Sequence, residues 1–525
     1  MAPDPSPPAR HWLPSIPATV FVGVLAFVIF GFQEPLLNSD GDLARHLRHG
    51  EWMLQHHRLI TADPFSYTKA GQPFVGFEYG SQLFYTLAHR VGGLAGVTVL
   101  AALLIASAYT LLARFMLRRG VEPFLAGIVV AAAMISGMGH WLARPHLVTM
   151  VAVPLLLELL MPTGRWRVWP FAILFAVWVN LHGGFVFGLV VIGMFLTAAC
   201  GESVRARTSL VRSADVRRYG TAFVVAAVSA LANPWGVGVY RHIVDMFGDR
   251  YIIDHTGEFA SPDFHDPASK LFLLVLLAVL AAGFLSRRRP ALITVIIVAA
   301  GTYFALVHQR NATLFGLTAL PLVALHLDPE WRALPFLRRL RTGFEAGSAT
   351  ANTAGWLAGA AALAILLGTA HGRLGGRDLL GNSFSAQRLP VAAVDAARSA
   401  KLSGRVFSDF GWGGYLLYAW PEEKVFIDGG TDFYGGDLMR DYSIIRAVRP
   451  GWQDLLRSWN ISMMVVRPGA PIASELTQDH GWTYWYCDKT AVVLLRGDAT
   501  ASAPPTRVRS ASACAAKKGG DVGAS

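Results

Sequence analysis

The chain has 525 residues, 53% hydrophobic and only 15% charged, with a formal net charge of +11. A soluble chain of this length would carry roughly a quarter charged residues, so the composition excludes an ordinary soluble globular protein. The basic balance, pI about 9.7, has a simple cause in Lys and Arg gathered in cytoplasmic loops. No RRM, zinc-finger or basic-aromatic platform accompanies it, and no nucleic-acid partner is expected.

Residues 1–16 form a Pro-rich cytoplasmic tail. The first apolar run, 17–33, is followed by charged residues with no small-residue cleavage site, which reads as a retained signal anchor. Further runs lie near 93–113, 121–139, 146–162, 167–181, 183–200, 219–235, 269–286, 290–307, 311–327 and 354–370. At roughly 17–25 residues per span, these predict an all-α polytopic membrane protein with about eleven transmembrane helices over residues 17–370.

Loop charge orients them. With the N-terminus in the cytoplasm, the inner loops are the Arg-rich segments 114–119, 165–167, 205–218, 287–289 and 332–341. Inverting the topology would expose five basic clusters outside, against the positive-inside rule. The outer side then carries the large first loop, 34–92, and fourteen of the sixteen histidines, all but His11 and His326.

Residues 371–497 change character. Val-, Phe-, Tyr- and Trp-rich segments at 405–410, 424–428, 461–467, 482–486 and 491–496 read as strands alternating with helical patterns. This predicts a C-terminal extracytoplasmic α/β domain. Residues 498–525, biased to Ala, Ser, Pro and Gly, read as a disordered tail. The three cysteines, Cys200, Cys487 and Cys514, are too scattered for a zinc site or a disulfide framework. A Cys487–Cys514 bridge stays open.

Polar knots cluster on the outer side, where titratable groups near a membrane suggest a site. The first is Asn38-Ser39-Asp40-Gly41-Asp42, leading into an amphipathic stretch to His57 that suits a helix along the interface. Asp42 and His46 share a face one turn apart. Asp42 also suits a helix N-terminus, and Asp40 just ahead is the first candidate for a general base. Glu78 follows in Phe77-Glu78-Tyr79 as a helper or metal ligand. Arg144 and His146 stand at the start of one span, His182 in Asn180-Leu181-His182-Gly183-Gly184, and His308 and Arg310 between two more. Arg suits a phosphate because its planar fork donates two parallel hydrogen bonds and keeps its charge. A divalent cation is conceivable at Asp40 and Asp42 or in the loop 236–268, but no ligand spacing is diagnostic. Gly411-Trp412-Gly413-Gly414-Tyr415 and Asp428-Gly429-Gly430-Thr431-Asp432 read as strand-end loops, either plain turns or an acceptor platform with Trp412 as its stacking face.

Asp40-x-Asp42-xxx-His46-Leu47, Asp63-Pro64-Phe65-Ser66-Tyr67-Thr68, Asn180-Leu181-His182-Gly183-Gly184-Phe185 and Val425-Phe426-Ile427-Asp428-Gly429 carry a resemblance. Together with the large loop after the first span, they resemble bacterial multipass proteins of the GT-C glycosyltransferase type. The resemblance covers most of residues 17–497. It implies a polyprenyl-phosphate-linked sugar donor, a cell-envelope acceptor and transfer at the outer face of the cytoplasmic membrane. It also implies a catalytic Asp after the first span, Asp40 or Asp42. Two departures stand out: Arg45 where the group often has an aromatic residue, and Phe77-Glu78-Tyr79 where it often has His-Glu-Trp. A polar-lipid or glycan transporter, and a non-catalytic scaffold of envelope assembly, are the alternatives; the absence of internal repeats weighs against the transporter.

Overall fold

The structure, a computed structural model, describes residues 14–39, 41–334, 353–476 and 481–497. Asp40, the tail 498–525, Cys514 and most of the connection 328–352 lie outside the described residues.

In chain order the helices are α1 (Ile16–Gly31), α2 (Gln33–Asn38), α3 (Asp42–His56), α4 (Tyr79–Arg118), α5 (Pro123–Gly137), α6 (His146–Leu160) and α7 (Trp169–Trp178). They continue as α8 (Phe185–Arg205), α9 (Ala214–Ser229), α10 (Gly238–Gly248), α11 (Arg250–His255), α12 (Pro267–Leu285), α13 (Leu292–Val307), α14 (Ala312–Trp331) and α15 (Thr353–Thr369). Each apolar run of the sequence falls on a helix. Helix starts follow local chemistry: Glu122 accepts from the Leu125 N–H ahead of Pro123, and Asp266 accepts from Ala268 and Ser269 ahead of Pro267. A side-chain acceptor at the cap with proline in the first turn satisfies otherwise orphaned donors without losing a bond.

Among the described residues, α4, α5 with its short 3-10 extension, α8, α12 and α14 with its leading 3-10 turn are long and apolar enough to cross a membrane. α1, α6, α7, α13 and α15 are apolar but shorter. The protein is therefore a mostly helical, multi-pass membrane protein.

Two compact units emerge. The first takes residues up to Gln33, 95–236 and 257–381. Its core is helix on helix, with α5 against α14, α13 against α14, and α8 against α9. Trp141, Phe171, Phe175, Trp178 and Phe315 are among its largest fully buried side chains.

The second unit takes 34–94, 237–256 and the chain from Asn382. It adds α16 (Val391–Ser399), α17 (Gly413–Ala419), α18 (Thr431–Arg446), α19 (Trp452–Ser458) and α20 (Pro471–Leu476). A short hairpin in the first unit gives β1 (Arg373–Leu374) and β2 (Arg377–Asp378). The second unit holds β3 (Val406–Ser408), β4 (Met463–Val466), β5 (Trp482–Cys487) and β6 (Val492–Arg496) in the order β3–β4–β6–β5. β3 and β4 run parallel with Val406 beside Met463, and the other pairs are antiparallel.

Lys424–Asp428, expected as a strand, makes only isolated parallel bridges, from Val425 to Ser66 and to Val406. Those bridges bring two sequence motifs together. Val425 N–H donates to the Phe65 carbonyl, Tyr67 N–H to the Val425 carbonyl, and the Thr68 hydroxyl to the Phe426 carbonyl. The first loop thus shares one core with the C-terminal sheet: Ala44, Met53 and Phe65 pack with Val406, Leu416, Val465 and Val493.

α3 does not lie on a surface as an amphipathic helix would. Leu43, Ala44, Arg45, His46, Leu47, His49 and Gly50 are all buried. The reason is glycine on both sides of its contacts. A Cβ on Gly41 would stand 2.4 Å from the Gly411 carbonyl, one on Gly414 2.4 Å from the Gly41 carbonyl, and one on Gly50 2.1 Å from Thr86 Oγ1. Only residues without a side chain admit backbones so close, so α3 sinks between α17 and the first turns of α4. The Gly411-to-Tyr415 motif, expected as a loop, is the start of helix α17 and the seat of α3.

Candidate functional site

Each unit holds a charged cluster that gathers residues singled out from the sequence. In the second, α3 begins at Asp42, and its N-cap is Gly41 with no side-chain capping bond. Asp42 is thus the first residue of the helix and not its N-cap. Its carboxylate lies against the Asp428-Gly429-Gly430 turn, where a Cβ on Gly429 would come within 1.7 Å of Oδ1. One turn along α3, Arg45 Nε stands 3.9 Å from Asp42 Oδ1 and 3.9 Å from Asp428 Oδ1.

Asp428 is 3% exposed and accepts from the Gly430 N–H at 2.8 Å and the Tyr434 hydroxyl at 3.1 Å. Burial pushes its carboxyl up to about 6, even though Arg45 favours the charged form. Burial alone would weaken the Arg45 charge, yet Asp42, Asp428, Glu78 and Asp432 outweigh it and hold the guanidinium more firmly protonated than usual. Beside them Asp432 bonds His242 at 2.8 Å. Burial works against the His242 charge, but Asp432, Asp245 and Glu78 raise its pKa above the ordinary value. Asp42 and Glu78 therefore stand within one electrostatic cluster with Arg45, Asp428, Asp432 and His242. His46 is placed differently: it is buried, with Nδ1 3.4 Å from Gln82 Nε2.

In the first unit, Glu258 sits on a single turn of 3-10 helix, Gly257–Phe259. Arg144 donates to its Oε1, and Arg310 Nη1 lies 3.4 Å from its Oε2. The turn is pinned by the segment that carries Arg310. His308 Nδ1–H donates to the Phe259 carbonyl at 2.6 Å, Gln309 Nε2 to the Gly257 carbonyl at 2.7 Å, and Gln309 N–H to the Ala260 carbonyl at 2.9 Å. The Arg310 guanidinium rests 5.0 Å from the Phe259 ring centroid. Burial opposes the Glu258 charge, but Arg144, His140 and Arg310 hold its carboxyl well below the usual range.

His146 Nε2–H donates to the His140 carbonyl at 2.8 Å, with the two rings 4.3 Å apart. His182 Nδ1 accepts from the Gly184 N–H at 3.0 Å and the Thr149 hydroxyl at 2.7 Å, while Thr149 accepts from Trp178 Nε1. That fixes the tautomer with the proton on Nε2. Arg144, His146, His182, His308 and Arg310 are thus neighbours in one unit. A cavity of about 400 Å³ elsewhere in this unit, lined by Phe195, Ala199, Glu202, Asp215, Tyr219 and Leu292, includes none of them.

Trp412 is no stacking face. It is 1% exposed, donates Nε1–H to the Arg388 carbonyl and lies under the Arg467 guanidinium at 4.9 Å. A ring in the core stabilises the fold by burial and cannot present its face to a sugar. Among the described residues no group of three His, Cys, Asp or Glu side chains has the geometry to hold a metal ion. In the loop 236–268, Asp266 caps α12 and Asp263 bonds His265 at the surface.

Sequence reading missed Glu258, Arg45, Asp428, Asp432 and His242 as site members. Glu258 and Arg144 are 114 residues apart, and no local pattern announces such a contact. The Asp428-Gly429-Gly430 signal was present, open between a plain turn and an acceptor platform.

No family model and no curated protein matches the sequence. Solved structures do. The archaeal oligosaccharyltransferase AglB from Archaeoglobus fulgidus, in complex with an inhibitory peptide and a dolichol-phosphate, superposes with TM-score 0.52 at 11% identity, covering 90% of this chain and 73% of that one. ArnT from Cupriavidus metallidurans, bound to undecaprenyl phosphate, superposes with TM-score 0.51 at 15% identity, covering 92% of this chain and 98% of that one. The fold is that of the GT-C glycosyltransferases, as the sequence motifs implied. At these identities the likeness establishes the fold and leaves the chemistry to the chain's own residues.

Proposed function

We propose that the chain is a membrane glycosyltransferase moving a sugar from a polyprenyl-phosphate-linked donor to a cell-envelope acceptor, at the outer face of the cytoplasmic membrane. The observation that carries the reading is the Arg144–Glu258–Arg310 cluster. Two arginines share one carboxylate there, leaving positive charge in excess, which suits a phosphate. That AglB and ArnT were solved with dolichol-phosphate and undecaprenyl phosphate supports the same donor class.

In this reading Arg310 and Arg144 hold the leaving phosphate, aided by His308, His146 and the Nε2–H of His182. The leaving group is weakly basic, so positioned cations stabilise it without a separate acid. Asp40 first, and Asp42 second, would deprotonate or orient the acceptor hydroxyl, with Glu78 and His46 supporting. One displacement with one base inverts the anomeric carbon.

The topology goes with it: about eleven spans over 17–370, N-terminus inside, and 371–497 outside as the α/β domain. Cys487 is disulfide-bonded, which suits an oxidising compartment on that side.

Cells carrying wild-type, Asp40→Asn, Asp42→Asn or Arg310→Ala protein provide the test, read as envelope glycans and polyprenyl-linked sugars. Loss of a glycan with accumulation of its lipid-linked donor is expected. Unchanged pools in all three variants, at normal expression, would sink the reading.

A further inference from the structure

We propose that Arg45 is the resident cation of the acidic cluster, a guanidinium that positions Asp42 and Asp428 where carboxylates so gathered would otherwise call for a bound metal ion. The inference rests on reading Asp42 as a working carboxylate, and it adds what keeps that carboxylate charged and in place.

Arg45 is 9% exposed, and its Nε has no hydrogen-bond partner. A buried donor left unbonded asks for a reason. Both nearest carboxylate oxygens lie 3.9 Å away, beyond hydrogen-bond reach. At Nε the guanidinium is therefore held by the field of its neighbours and not by a directed bond. That is the position of a counter-ion shared by Asp42 and Asp428.

The surroundings leave it little choice. A Cβ on Gly430 would sit 3.2 Å from Arg45 Nη1, and one on Gly414 2.9 Å from Arg45 Cβ. The glycine turns fold tightly around the stem and head, so the charge cannot swing out to solvent. Asp42, Asp428, Glu78 and Asp432 all act on it electrostatically.

Asp42 and Asp428 offer the hard oxygen donors a divalent cation takes, and here a guanidinium stands 3.9 Å from both. The space on which they converge is filled by a charge that cannot dissociate. A side chain that is always protonated provides the neutralisation at every physiological pH and cation concentration.

The test uses the full-length protein purified in detergent and titrated with Mn²⁺, followed by the electron paramagnetic resonance signal of the free ion. Wild type and Arg45→Lys are expected to bind Mn²⁺ at least about tenfold more weakly than Arg45→Met, a difference of about 1.4 kcal/mol. Adding Asp428→Asn to Arg45→Met should abolish the gained site. If Arg45→Met does not fold, the Arg45→Met/Asp428→Asn double variant should recover monodisperse protein, because it removes the charge together with one of its partners.

Three outcomes overturn the proposal. The first is a wild type that binds one Mn²⁺ ion that Asp428→Asn removes. The others are a folded Arg45→Met that gains no affinity and a double variant that fails to recover a misfolded single. A purely structural arginine would destabilise on substitution without creating a metal site. Failure here leaves the glycan phenotype of Asp42→Asn untouched, so it is separable from failure of the transferase reading.

Discussion

The two charged clusters are built with opposite stoichiometry. In the first unit two arginines, Arg144 and Arg310, share one carboxylate, Glu258. In the second, one arginine, Arg45, is shared by Asp42 and Asp428, with Glu78 and Asp432 acting from further off. Among the groups named, positive charge is in excess in the first and negative charge in the second. On the proposed function the first takes an anion and the second a proton. Both keep their charges against the cost of burial, through opposite charges whose pull is stronger there than in water. The sign of the excess, and not the number of charged residues, separates an anion holder from a base.

The comparison is broken most directly at Arg310. Arg310→Ala should lower transfer from a polyprenyl-phosphate sugar by about 100-fold, the order seen when one positioned donor to a developing anion is removed, measured with purified protein and synthetic donor. An unchanged rate would assign the phosphate elsewhere.

In the second unit, Gly429→Ala forces a methyl to within 1.7 Å of Asp42 Oδ1. Overpacking of this kind costs roughly 1–3 kcal/mol, and a thermal melt should show the loss. Gly71→Ala, with open space but φ of +74°, is the control for backbone strain alone.

A pH series sharpens the contrast. The Asp428 carboxyl is raised to about 6 in the folded protein, so its contribution to stability is full below about pH 4 and lost as pH rises through about 6. Roughly 3 kcal/mol is at stake for a shift of this order. Asp428→Asn should remove that downward slope between pH 4 and pH 6 in melting experiments. A slope that persists would mean another group sets it.

Glu258→Gln should act the other way in the first unit, freeing both arginines from an internal competitor. Polyprenyl phosphate binding by isothermal titration is expected to tighten by up to about tenfold. Weaker binding would show that Glu258 aligns the arginines instead of competing for them. Smallest of all is Arg373→Ala. Its bond to Asp378 at 2.6 Å is exposed at 70% on both sides, so its removal should shift stability by less than about 0.5 kcal/mol.

Much of the first unit was legible in the chain. A bilayer demands long apolar runs, and α8, α12 and α13 announce themselves whatever they touch. Arg144 and Arg310 were visible as cations at helix ends. Glu258, which completes their cluster, was one carboxylate among several in a polar loop, and only the fold brought it to them. In the second unit the strands β4, β5 and β6 followed from residue type, whereas α17 was hidden because Gly413 and Gly414 suggest a turn. Those glycines are there for close approach to α3, a requirement that exists only once α3 has a partner.

What the sequence by itself determined was the multi-pass helical character and the location of its charged knots, because hydrophobicity and charge are properties each segment carries alone. Only the tertiary structure decided which charges share a cluster, that α3 is buried and not interfacial, and that Trp412 is core. Those depend on contacts across long stretches of chain, where a backbone approach at Gly414 or a carboxylate from Asp428 has no trace in the neighbouring residues.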